Sequence, residues 1–162
     1  MISQEKLKEM ILPVIRAKGK TYRKNKNVFA RKAKENENIA TITDDGIETT
    51  NTARAGDYIV KNQTGAGEMY ILGRDNFKKR YSYIKRSGGG FSEYRSTGKI
   101  IGVEMNAKLL KWLGTPDEFK FRAPWGEAMI VKKDDFLVTP LDFSEVYRIA
   151  RKEFFETYTE DK

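Results

Sequence analysis

The sequence predicts an α+β, strand-rich fold: two tandem copies of a small antiparallel sheet or partly open barrel, each ending in a short helix, preceded by an N-terminal helix. Two observations predict it. From residue 27 onward, apolar and polar residues alternate over short stretches, as in half-buried strands, and one order of these stretches occurs twice. With 162 residues, of which 39 % are hydrophobic, the chain can bury a core without disulfides.

The first element is a helix over residues 3–18. Ser3 can cap its N-terminus, and apolar residues follow at helical spacing on one face. Gly19 is suited to end the helix. Because proline lacks the amide hydrogen that a helix interior needs, Pro13 predicts a kink or two shorter pieces.

The strands of the first half follow the period-two pattern. Asp44-Asp45-Gly46 is typical of a tight hairpin turn, in which glycine readily takes the required positive φ. The predicted elements are strands over 27–34, 38–43, 47–54, 57–62 and 68–72 and a helix over 74–83.

The second half repeats that order, with one helix added. The predicted elements are a strand over 99–105, a helix over 107–113, strands over 118–123, 127–132, 135–139 and 145–150, and a helix over 151–158. We interpret this as an internal duplication. The aligned pairs are Asp57/Asp135, Val60/Val138, Glu68/Glu145, Tyr70/Tyr147, Arg74/Arg151, Phe77/Phe154 and Tyr81/Tyr158, and NVFARKA at 27–33 corresponds to KIIGVEM at 99–105.

The repeated segment resembles a small bacterial and phage domain named for its PGDYG-type motif. The motif is present as Gly56-Asp57-Tyr58-Ile59-Val60, followed by Gly67-Glu68, Tyr70, Phe77 and Tyr81. Ala55 stands where the family has proline, and Asp134 replaces the motif glycine in the second copy. The resemblance implies a fold module and a bacterial or phage context, and it implies no reaction.

The expected domain organisation follows from these patterns. It comprises a basic N-terminal helix and arm (1–26), a first β-rich repeat (27–86), a Gly-rich connecting loop (87–98) and a second β-rich repeat (99–162).

Positive charge is concentrated at the start of the sequence. The net charge is +8. Residues 1–34 hold 11 Lys and Arg against two acids, whereas the other 128 residues hold 20 against 21. A weaker concentration runs from Arg74 to Lys99. Such asymmetry favours an anionic partner, since cations gain free energy by releasing counterions from phosphates; the alternative is a solvated arm.

The predicted binding residues combine these cations with nearby aromatic side chains. Glycines next to aromatic and arginine residues also suit base stacking in the Gly-rich loop, although a plain linker is the alternative. The candidates are Arg16, Lys18, Lys20, Tyr22, Arg23, Lys24, Lys26, Lys85, Arg86, Phe91, Tyr94, Arg95 and Trp125.

The chain contains no histidine and no cysteine, which excludes thiol and serine–histidine nucleophile systems and ordinary zinc sites. No phosphate-loop motif is present, and no cofactor is predicted. The repeated carboxylates favour structural roles: Asp57 and Asp135 accepting backbone N–H bonds after tight turns, and Glu68 and Glu145 pairing with nearby arginines. The alternative is a Mg²⁺ site built from all four.

We therefore predict a non-catalytic binding protein of bacterial or phage origin. Its anionic partner would be nucleic acid, a nucleotide signal or a host protein that it inhibits. The alternatives are a metal-dependent phosphodiester-cleaving enzyme and a structural self-assembling module, so a homo-oligomer stays open. A cytoplasmic location is expected, because no apolar run long enough to span a membrane is present.

Overall fold

A computed structural model describes residues 1–43 and 45–162 and shows the predicted α+β, strand-rich class with an N-terminal helix and open antiparallel sheets. The elements in chain order are α1 (Gln4–Lys18), β1 (Lys20–Lys24), β2 (Val28–Lys32), β3 (Glu37–Thr43), β4 (Gly46–Ala53), β5 (Tyr58–Asn62), β6 (Met69–Leu72), α2 (Arg74–Arg80), β7 (Tyr81–Arg86), β8 (Ser92–Ser96), β9 (Lys99–Glu104), α3 (Ala107–Leu113), β10 (Glu118–Arg122), β11 (Ala128–Lys132), β12 (Phe136–Pro140), β13 (Tyr147–Ile149), α4 (Arg151–Thr157) and β14 (Tyr158–Glu160).

The described residues form two compact units. Unit 1 comprises Met1–Arg23, Lys99–Phe155 and Thr159–Lys162, and unit 2 comprises Lys24–Gly98 and Glu156–Tyr158. The sheet of unit 1 has the order β13-β12-β9-β1-β14, and that of unit 2 has the order β6-β5-β2-β8-β7. A hairpin accompanies each sheet, β10-β11 in unit 1 and β3-β4 in unit 2.

Helix α1 forms as its capping residues predict. The Ser3 hydroxyl accepts a hydrogen bond from the Lys6 backbone N–H at 3.0 Å, and the helix ends at Gly19. It runs unbroken through Pro13 rather than as two pieces. Its buried apolar face joins β9, β10, β11 and β12 side chains in the core of unit 1.

The predicted hairpin between the second and third strands is confirmed. Strands β3 and β4 pair in antiparallel register up to Thr43 opposite Gly46. The remaining part of that prediction falls on Asp44, which lies outside the described residues.

The two sheets have corresponding registers, which supports the internal duplication. In unit 2, Val60 of β5 lies opposite Ala30 of β2 and Tyr70 of β6. In unit 1, Val138 of β12 lies opposite Gly102 of β9 and Tyr147 of β13. At Gly102 a Cβ would lie 2.8 Å from a methyl carbon of Val138, so the strands approach more closely there than a larger residue allows.

One inner strand of each sheet comes from the other repeat. β1 precedes β2 along the chain as β8 precedes β9. Tyr22 and Tyr94 each lie eight residues before the equivalent positions Ala30 and Gly102. Yet Tyr22 lies opposite Ile100 of β9 in unit 1, and Tyr94 lies opposite Val28 of β2 in unit 2. The tandem repeats have therefore exchanged their first strands.

The aromatic cores confirm this equivalence. In unit 2 the Phe77 ring stacks on Tyr58 at 4.1 Å and meets Tyr94 edge-on at 4.8 Å between centroids. In unit 1 the Phe154 ring stacks on Phe136 at 3.7 Å and meets Tyr22 edge-on at 4.8 Å. Each C-terminal helix is thus held to its sheet by the same arrangement of three rings.

The observed units differ from the expected domain boundaries. Residues 1–26 are not an arm, because α1 packs in the core of unit 1 and β1 is an inner strand of its sheet. Residues 87–98 are not only a connecting loop, since they include β8, an inner strand of unit 2. Strand pairing accounts for both differences: each segment supplies backbone hydrogen bonds that a sheet needs.

Within the described residues, no helix is long and apolar enough to cross a membrane.

Candidate functional site

The fold divides the positive charge equally between the two units. Unit 1 holds 17 Lys and Arg against 13 Asp and Glu, and unit 2 holds 14 against 10, so each carries a net +4. The N-terminal concentration in the sequence therefore does not become one basic domain. What distinguishes the units is which cations have an acidic partner.

In unit 1, the cations of β1 face the acidic C-terminus. Lys20 Nζ lies 3.7 Å from a carboxylate oxygen of Glu160, and Arg23 Nε lies 3.9 Å from one of Asp161. Lys99 Nζ, on the neighbouring strand β9, lies 2.7 Å from the other oxygen of Asp161. Three basic residues on two inner strands of the sheet are thus compensated within the unit.

Tyr22, one of the predicted binding residues, is half-buried in the aromatic core of unit 1. Burial, with smaller contributions from the charges of Glu160 and Glu104, raises the pKa of its hydroxyl. Tyr94 is held in the same way against Phe77 in unit 2. Both placements favour structural roles for these two rings.

Lys24 lies within a polar cluster of unit 2. Its Nζ donates hydrogen bonds to Asn62 Oδ1 at 2.9 Å, to the Tyr70 hydroxyl at 3.0 Å and to the Tyr81 hydroxyl at 3.2 Å. The two tyrosine hydroxyls are themselves 2.7 Å apart. Because its donors are already used within unit 2, Lys24 offers little to an outside ligand.

The remaining N-terminal candidates are exposed but dispersed among different elements. Arg16, in α1, lies with its guanidinium carbon 3.9 Å from the centre of the Phe143 ring. Lys18 ends the same helix, and Lys26 donates to the Gln63 carbonyl at 3.4 Å. Trp125 lies in the turn between β10 and β11 and is 41 % exposed.

The second group of candidates is brought together by the β7-β8 hairpin. Lys85 lies opposite Glu93, Arg86 opposite Ser92, and Arg95 opposite Ser82. The Gly-rich segment is the turn of this hairpin: the Ser87 N–H donates to the Phe91 carbonyl at 2.9 Å. Gly89 and Gly90 adopt φ values of +69° and +82°, which other residues rarely take.

Strand β7 is the last strand of the unit 2 sheet, and its side chains from Ser82 to Arg86 are exposed. Tyr83 is 57 % exposed and Ile84 is 43 % exposed. Counted from the aligned Tyr81/Tyr158 pair, these two positions correspond to Glu160 and Asp161 of unit 1. Unit 2 thus lacks, at its edge, the two acids that neutralise the edge of unit 1.

Five cations of α2, β7 and β8 consequently have no ion-pair partner among the described residues. We call this set the basic edge: Lys78, Lys79, Lys85, Arg86 and Arg95. The sequence-based candidates included the last three of these and missed the two lysines of α2. They also missed Tyr83 and Ile84, although the aromatic and β-branched residues of YSYIKR are the signal that could have identified β7 as a strand.

In the same unit, the Arg31 guanidinium forms an ion pair with Glu37 through two hydrogen bonds. The hydrogen bond from the Arg31 guanidinium, followed by that from the Lys34 backbone N–H, lowers the pKa of the Glu37 carboxyl to about 2. Arg31 is therefore not counted in the basic edge.

Replacing Arg31 with methionine should raise the pKa of Glu37 toward its ordinary value of 4.5. Because the folded pKa is depressed, the pair stabilises the fold above pH 4.5, and this contribution is lost as the pH falls through about 2. A carboxyl-carbon NMR titration measures the pKa of Glu37 in the wild type and in the variant. An unchanged titration midpoint in Arg31→Met would contradict the assignment of the low pKa to the guanidinium.

The repeated carboxylates have structural partners. Asp57 Oδ2 accepts the Arg54 backbone N–H at 2.9 Å, and Asp135 Oδ2 accepts that of Lys132 at 2.8 Å, which confirms their predicted place in tight turns. Glu68 accepts from Asn62 and Thr64 rather than from the predicted arginine. Within residues 1–43 and 45–162, no group of three or more acidic side chains that could hold a metal ion is found.

No family model matches the chain, and neither a curated protein nor a solved structure was found to match it. The resemblance to the PGDYG-type domain therefore stays a prediction.

Proposed function

We propose that this chain is a non-catalytic binding protein that engages the phosphates of a nucleic acid through the basic edge of unit 2. The observation that carries the proposal is the difference between two equivalent sheet edges. At the edge of unit 1, Glu160 and Asp161 neutralise cations of the neighbouring strand β1, whereas at the edge of unit 2 no acid in the described part of the chain neutralises the cations of the basic edge.

The contrast is informative because both edges perform the same structural task. Each follows a C-terminal helix and completes a sheet of the same order. At the helix positions equivalent to Lys78 and Lys79, the second repeat has Phe155 and Glu156. The fold therefore does not require cations at these positions, and their cost in mutual repulsion is offset when an anionic partner binds.

A nucleic acid fits this edge better than an added protein strand. An exposed edge strand can pair with a strand of another protein, but a β-bulge and lysines hinder such pairing. The pairing of β7 with β8 shifts register between Tyr83 and Lys85, and β7 ends on two cations. Phosphate contacts need no free backbone edge, so they are compatible with both features.

Salt dependence of binding tests the proposal. Fluorescently labelled single strands and duplexes should bind at low salt, with an affinity that falls steeply as salt is added. In Lys78→Gln/Lys79→Gln/Lys85→Gln/Arg86→Gln the slope of log affinity against log salt should become shallower by about 3 if all four cations contact phosphates. Fluorescence anisotropy across a salt series measures both quantities.

The matched control removes four exposed lysines from unit 1: Lys108→Gln/Lys111→Gln/Lys120→Gln/Lys133→Gln. It changes the net charge by the same amount but leaves the basic edge intact. It should therefore leave the slope within about one unit of the wild type. Equal losses in the two variants would show that only net charge matters. Binding of polyglutamate without binding of nucleic acid would overturn the proposal in favour of an acidic protein partner.

A further inference from the structure

Tyr83, which lies on the same strand as two cations of the basic edge, has a ring that is exposed and held in place. The Tyr83 ring meets Tyr94 edge-on, with 5.7 Å between centroids and 81° between planes. Tyr94 in turn meets the buried Phe77 edge-on at 4.8 Å. A ring supported in this way loses little conformational entropy on binding, and 57 % of the Tyr83 residue is open to solvent.

The fold itself does not need an aromatic residue at this position. The equivalent residue of unit 1 is Glu160, which pairs with Lys20. Tyr83, which is 57 % exposed, also gains less from burial than the core rings do. The two repeats therefore distinguish the rings that build the core, Tyr58, Phe77 and Tyr94, from the one ring at this edge that does not.

Cations lie on both sides of this ring along the chain. Lys79 precedes it in α2, and Arg86 follows it in β7. Tyr83 lies opposite Tyr94 and Arg86 lies opposite Ser92, which are two residues apart in β8, so Tyr83 and Arg86 share one face of the sheet. A ring between cations matches a strand whose bases and phosphates alternate. Single strands offer base faces for stacking, whereas a duplex keeps its bases stacked on one another.

We infer that Tyr83 stacks on a base of single-stranded nucleic acid while the cations around it contact the adjoining phosphates. This inference rests on the proposed function and narrows it from nucleic acid in general to single strands. It predicts that Tyr83 contributes to affinity without contributing to salt dependence, since it carries no charge.

The test compares Tyr83→Ala with the wild type on labelled oligothymidylate and on a duplex of equal length. The loss of one stacked base corresponds to roughly 5- to 100-fold in affinity. We expect this loss on the single strand, a change of less than about twofold on the duplex, and an unchanged salt slope. Tyr83→Phe should retain wild-type affinity, because stacking needs the ring and not the hydroxyl.

Trp112→Ala is the matched control, since Trp112 is 73 % exposed and lies in α3 of unit 1. It should bind both probes as the wild type does. Equal affinity of Tyr83→Ala and wild type for the single strand, or an equal loss on both probes, would overturn the inference while the proposed function stands. A wild-type protein that binds neither probe at low salt would overturn both.

Discussion

Replacing Asp135 with alanine is expected to lower the free energy of unfolding by about 3–5 kcal/mol. Asp135 is 4 % exposed, and its carboxylate accepts from the Arg148 guanidinium at 2.8 Å. It also accepts the backbone N–H groups of Lys132 and Arg151. Without the carboxylate, Arg148, which is 3 % exposed, would be a buried cation that has lost its ion pair with Asp135.

The first repeat provides the matched control. Asp57 occupies the equivalent turn and accepts the Arg54 N–H, but the residue equivalent to Arg148 is Ile71. Asp57→Ala removes a turn hydrogen bond and strands no buried cation, so it should cost only about 1 kcal/mol. Urea unfolding followed by circular dichroism measures both variants. Equal costs would show that the Asp135–Arg148 pair adds nothing.

A double variant distinguishes the loss of the Asp135–Arg148 ion pair from the cost of keeping the Arg148 cation buried without Asp135. In Asp135→Ala/Arg148→Met the cation is also gone, and apolar replacement of a whole buried pair is often close to neutral. The double variant should therefore recover much of the loss. If it is less stable than Asp135→Ala, the cost of keeping the Arg148 cation buried without Asp135 is not the cause.

Truncation of the central ring of each helix is expected to have a similarly large effect. Phe77→Ala and Phe154→Ala should each cost about 3–5 kcal/mol, because each ring is fully buried and its removal leaves a cavity. Phe77 is 2 % exposed and Phe154 is 1 % exposed. Each variant loses contacts with three aromatic neighbours: Tyr58, Tyr81 and Tyr94 in unit 2, and Phe136, Phe155 and Tyr22 in unit 1.

Phe155→Ala is the control for this pair, since Phe155 follows Phe154 in α4 and is 56 % exposed. Because its ring is more than half exposed and meets Phe136 and Phe154 only edge-on, the substitution should cost about 1 kcal/mol or less. Thermal unfolding of the three variants orders them. A loss in Phe155→Ala as large as that in Phe154→Ala would mean that its ring is buried in solution.

Most elements could be predicted from the sequence because their patterns are local. Alternation predicted β5, β9 and β12 to within one or two residues, and Asn106 and Gly114 bound α3 where the sequence placed it. The correspondence of Phe77 with Phe154 required only an alignment of the chain with itself. It then identified the two rings that hold the helices to the sheets.

The strands that were missed are those with the least local signal. β1, KTYRK, resembles a basic arm, β7 was merged into the preceding helix, β8 lay within an expected linker, and β14 is short. Each forms because a neighbouring strand presents unpaired backbone groups. For β1 and β8 a pairing partner is distant in sequence: Lys20 lies opposite Gly102, and Tyr94 lies opposite Val28.

For the candidate site, too, some features follow from the sequence and others only from the tertiary structure. Composition and the order of residues determined the strand-rich class, the duplicated motif, the absence of histidine and cysteine chemistry and the excess of cations. Only the tertiary structure decided which cations are free to bind, since Lys20 and Arg23 meet acids from the far end of the chain whereas Lys85 and Arg86 do not. Charge compensation depends on distance in space, and the exchange of β1 and β8 between the repeats sets those distances.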